Sequence, residues 1–72
     1  MREFKMLDSF EIEGVIHELH QLDEPRSFGG TVLLARIHVR DEDSGAVVGD
    51  TFYPTVEMAT EAFSILRRKA LV

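Results

Sequence analysis

Arg36, His38 and Arg40 recur at every second position of one apolar stretch, Thr31 to Arg40. On a β-strand that spacing puts all three on one face and Leu33, Ala35, Ile37 and Val39 on the other, the natural core side. A cationic row on an open sheet face either meets phosphates and acidic partners or pairs with carboxylates on the neighbouring strand. Glu11 and Glu13 have the parity to face the row. Such a cross-strand ladder contributes a few tenths of a kcal/mol per exposed pair. Val32 and Leu34 share the cationic face, and this mixture of apolar and charged groups predicts a face covered by a partner, such as a second copy in a dimer. With Tyr53 at the end of the following strand, the candidate interaction face is Val32, Leu34, Arg36, His38, Arg40 and Tyr53.

Other chemistry-bearing residues do not converge. His17 and His20 are three apart and point to opposite faces of a straight strand, so they chelate nothing together. Their partnership with His38 would need the chain to bend at Gly14. Ser9, Ser27, Ser44 and Ser64 lie in unrelated contexts, cysteine is absent, and Gly29-Gly30 lacks the rest of any phosphate-binding loop. Asp41, Glu42 and Asp43 cluster where a turn keeps them solvated, without the burial that tunes a carboxylate for proton transfer. No catalytic, cofactor-binding or metal-binding residue is expected, and no cofactor.

These side chains need elements to position them. Phe10 to Ile16 alternates apolar and acidic residues at period two, which predicts a strand over 10–20 in which Gly14 either permits a bulge or lets another backbone come close. Residues 21–30, with Asp23, Glu24, Pro25, Gly29 and Gly30, read as an exposed loop. Residues 31–40 are the strongest strand. Asp41 to Gly45 has turn chemistry, and 46–53 returns as the second arm of a hairpin. Pro54 stops the ladder and Thr55 is a good N-cap. Val56, Ala59, Phe63, Leu66 and Ala70 then fall on one stripe of a helix over 56–71, which must pack on the sheet. Its Glu57 and its Arg67, Arg68 and Lys69 complement the helix dipole. The expected fold is α+β: a three-stranded antiparallel sheet in β-β-β-α order with one C-terminal amphipathic helix on one face. Ile12, Ile16, Leu33, Ile37, Val39, Phe52, Phe63 and Leu66 are the expected core, and residues 1–9 a flexible N-terminus.

The segment Gly49 to Phe63, GDTFYPTVEMATEAF, resembles the end of plant AP2-type domains and of the related sheet domains of phage integrases. There a strand ending in a Thr-Phe-x-Thr-like step leads into a helix patterned Glu-x-Ala-x-x-Ala-aromatic. The resemblance covers residues 31–70 and implies a sheet that reads the DNA major groove with arginines on its exposed face, where this chain places Arg36 and Arg40. The chain departs from that family in having Glu11 and Glu13 where an arginine-rich first strand stands, and in lacking the family's tryptophan.

Bulk composition weighs on these readings. The chain has 72 residues, 44% hydrophobic and 29% charged, enough for one domain spanning 1–72. A fold of this size buries only roughly 60% of its unfolded surface, so reinforcement is expected, and without cysteine for disulfides or thiolate zinc sites a partner subunit is its expected source. A net charge of −5 repels nucleic acid and anionic lipid at long range. No apolar run suits a signal peptide or a membrane span, so a cytoplasmic, membrane-free protein is expected. The expected role is a small non-enzymatic protein-binding or accessory module that forms homo-oligomers. The alternative is an AP2/integrase-arm-like nucleic-acid-binding domain using the exposed sheet face.

Overall fold

The computed structural model describes residues 3–70. Four strands, β1 (Phe4–Ile12), β2 (Val15–Phe28), β3 (Thr31–Asp41) and β4 (Val47–Tyr53), form an antiparallel sheet in the order β1-β2-β3-β4, followed by one helix, α1 (Val56–Ala70). The α+β class and the C-terminal helix agree with the sequence reading, but the sheet has four strands rather than three. Phe4–Ser9, read as part of a flexible terminus, is the first part of β1, and residues 21–28, read as loop, continue β2.

The extra strand comes from one turn. The stretch read as a single strand reverses at Glu13-Gly14, which take φ of 51° and 79° and let Ile12 face Val15 directly. Two consecutive positive-φ residues are the signature of the two-residue hairpin whose twist matches that of its strands. Gly14 therefore makes a complete reversal, not a bulge. Gly29-Gly30 does the same between β2 and β3, with Phe28 opposite Thr31. The β3–β4 turn has the expected acidic chemistry: Asp41 Oδ1 accepts from the backbone N–H of Asp43 at 2.8 Å and of Ser44 at 3.3 Å.

A hairpin exchanges parity. Phe10 pairs with His17, so odd positions of β2 share the face of even positions of β1. The helix-side core is Leu19, Ala35, Ile37, Ala59 and Phe63, with Phe10, Val39, Tyr53, Val56, Ala62 and Leu66 packed against it. Of the residues expected in the core, Ile37 and Phe63 are buried, and Val39 and Leu66 flank them. Ile12 and Leu33 are only half-buried and outside the cluster. Ile16 and Phe52 are half-buried on the other face, opposite Arg40 and Arg36 respectively. Leu19 takes the place that the unbroken-strand reading gave to Ile16.

A bulge at Leu7 in β1 performs a second exchange. Met6 pairs with His20 but Asp8 pairs with Leu19, so the strand turns over between them. Phe4 thus lies on the open face and Phe10 on the helix face, although both are even-numbered. Asp8 is aimed at the helix, where its carboxylate meets Arg67 at 2.9 Å, and Arg67 also donates to Ser9 O at 3.2 Å. The Arg67 guanidinium lies 5.3 Å from the rings of both Phe10 and Phe63. The first turn of α1 is capped as expected, Met58 N–H donating to Thr55 Oγ1 at 3.1 Å. No helix among the described residues is long and apolar enough to cross a membrane.

Candidate interaction face

Arg36, His38 and Arg40 do share the open face, and their partners are not Glu11 and Glu13. In register, His38 lies between Glu18 of β2 and Asp50 of β4, and Arg36 between His20 and Phe52. Arg40 reaches Glu18 Oε2 at 3.4 Å, His38 Nδ1 is 3.3 Å from Asp50 Oδ1, and Arg36 reaches Asp50 Oδ2 at 3.7 Å. Glu11 lies beside Glu42 instead. The hydrogen bond between these two carboxyls, reinforced by partial desolvation and the nearby negative charge, raises the pKa of Glu11.

His20 is the centre of the network and is fully buried on the face that carries no helix. Phe4 stacks on its ring with centroids 3.8 Å apart, and the Arg36 guanidinium lies 5.1 Å from the Phe4 centroid. Arg36 Nε donates to His20 Nδ1 at 2.8 Å, and His20 Nε2 lies 3.0 Å from Glu18 Oε1. Arginine is always a donor, so Nδ1 is the accepting nitrogen and the ring proton sits on Nε2, donated to Glu18. Both nitrogens are occupied, leaving no lone pair for a substrate proton or a metal. Burial lowers the pKa of His20, against the opposing pull of its bond to Glu18. A neutral imidazole thus joins a buried glutamate to an arginine, and Leu22, also buried, extends the layer along β2.

His17 lies on the opposite face, stacked on Phe10 at 4.6 Å, with its Nδ1 buried and unbonded. Burial lowers its pKa as well. The Gly14 reversal therefore does not bring His17 to His20 and His38. No three or more His, Asp or Glu among the described residues are grouped to hold a metal ion.

Val32 and Leu34 lie apart from the network. Among the described residues, pairing of β4 with β3 ends at Tyr53 opposite Ala35, and pairing of β1 with β2 ends at Phe4 opposite Leu22, with one more backbone bond from Asp23 N–H to Glu3 O at 3.2 Å. Beyond those limits, and past a register shift between Gln21 and Arg26, β2 and β3 continue as a two-stranded arm with Arg26, Ser27 and Phe28 opposite Leu33, Val32 and Thr31. Phe28 is 81% exposed at its tip, Val32 50% and Leu34 36%. A groove of about 560 Å³ lined by Arg26, Ser27, Phe28, Thr31, Leu33 and Phe52 joins the arm to the end of β4. Tyr53 does not belong with this set: paired with Ala35, it packs against the core under the helix.

Sequence reasoning weighed His20 only as a metal ligand, and missed Glu18, Phe4 and Phe28. The signal for the first two was Glu13-Gly14 read as a turn, which places Glu18 and His20 on the arginine face. Phe28 before Gly-Gly was legible as a hairpin tip. Scans against protein-family models, curated proteins and solved structures found no match to this chain.

Proposed function

We propose that this chain is a small non-enzymatic protein-binding module that self-associates. The observation that carries the reading is the arm, whose exposed Phe28, Val32 and Leu34 continue past both neighbouring strands. A two-stranded ribbon has little stability of its own in water, and apolar side chains gathered at its tip gain from being covered. The cationic row supports the same reading. Its charges are neutralised by Glu18 and Asp50, and Arg36 is bonded to His20 with its guanidinium against the Phe4 ring. Arginines tied in this way are not available to release counterions from a phosphate backbone, the main source of affinity for nucleic acid.

Two measurements test the reading together. Sedimentation equilibrium from micromolar to millimolar protein should show a mass rising above 8.2 kDa with concentration. Titration with a random DNA duplex at physiological salt should show no micromolar binding. Affinity at that level, falling linearly with the logarithm of salt and lost in Arg40→Gln, would instead support the AP2-like alternative.

A further inference from the structure

An antiparallel sheet has edges, and most of the edge in this chain is guarded against strand addition. β1 carries the Leu7 bulge together with Lys5, Asp8 and Glu11, and β4 carries a register shift opposite Val39 and Arg40 and the charge of Asp50. The part of β2 that runs past this pairing contains Glu24, Pro25 and Arg26. Bulges, charges and proline are the devices by which sheets blunt their edges.

One stretch has none of them. Beyond Ala35 no described strand or loop pairs with the outer side of β3, and its residues there are Thr31-Val32-Leu33-Leu34, uncharged, β-prone and free of proline. The groove bounded by Phe28, Leu33 and Phe52 lies at the same place. Resting on the self-association proposed above, we propose that two copies of this chain join through this bare edge, Thr31–Leu34 of each running antiparallel about a two-fold axis. The sheet then continues from one copy into the other, with the Phe28 and Leu33 side chains of the two arms covering one another.

Two observations favour a second copy as the occupant. The segment is self-complementary: antiparallel pairing on itself sets only Thr, Val and Leu against one another, with no like charges opposed. The arm leaves room, because the guarded edges of β1 and β4 end before it.

Substitutions at the edge test the proposal against other modes of association. Val32→Lys and Leu34→Lys each place a charge on an already exposed position, so the monomer fold, followed by circular dichroism, should persist. Each should weaken the dimer by roughly tenfold or more, whereas Val48→Lys, on the far part of β4, should leave it intact. As a second measurement, a nitroxide on Thr31→Cys, the sole cysteine of that variant, should report a spin–spin distance below about 20 Å across the two-fold axis. A dimer indifferent to both edge lysines, or a label distance above about 25 Å, overturns the edge while leaving self-association standing. A wild type that remains at 8.2 kDa up to about 1 mM overturns self-association itself and leaves the edge to another protein's strand.

Discussion

His20 is fully buried, an unusual environment for a histidine. A neutral histidine that accepts from Arg36 and donates to Glu18 loses an acceptor when protonated, and the new charge faces Arg36 and His38 as well as Glu18. In the unfolded chain it takes up its proton near 6.5, whereas in the folded chain its pKa is lower. The unfolded state therefore binds more protons below about 6.5, and stability falls as the solution is acidified through that range. His17, buried on the helix side, acts in the same direction. Urea unfolding should give a smaller stability at pH 5.5 than at pH 7.5, and His20→Gln should flatten much of that slope; an unchanged slope would show that His20 titrates normally. Residue chemistry was half legible in the sequence. The alternation of Arg36, His38 and Arg40 gave their common face correctly, but the identity of their partners depended on which way β2 ran, and no side-chain pattern within β3 contains that information.

At the scale of elements, the hairpins decide the fold. The sequence shows β3, β4, the Asp41–Gly45 turn and the capped helix because each has its own local chemistry. It hides β1 because Glu13 is a poor advertisement for a turn: a non-glycine residue at φ 51° is strained, and asparagine-glycine is the favoured pair. Residues 21–28 were hidden for the opposite reason, since Pro25 and three charges look like a loop but occupy the outer edge of a ribbon, where a missing N–H costs little. Relieving the strain should be measurable. Glu13→Asn should stabilise the protein by about 0.5–1 kcal/mol and raise its melting temperature by roughly 3–6 °C. No gain, in an otherwise folded variant, would mean that Glu13 makes a compensating contact in solution.

At the scale of the whole molecule, one helix covers one face of the sheet and the other face is closed by its own side chains. The radius of gyration, 12.3 Å, exceeds the ~11 Å of a compact chain of this length, in keeping with the projecting arm. Every strand pairs only with its neighbour in sequence, and α1 rests mainly on β2, β3 and β4. Such a meander has kinetic consequences. Its contacts need little loop closure, so folding should be fast for a protein so rich in β-structure. Assembly can begin at the Gly29-Gly30 reversal, zip β2 to β3, and add β4 with the helix before β1 arrives. The same sequence in reverse describes native-state opening, because β1 can peel away while the other three strands and the helix stay together. Phe4 leaves with it, and water then reaches His20 without global unfolding. Amide hydrogen exchange should therefore show β1 protons exchanging well ahead of those in the Glu18–Gln21 and Ala35–Val39 ladder, and equal protection across all four strands would make the molecule a single cooperative unit.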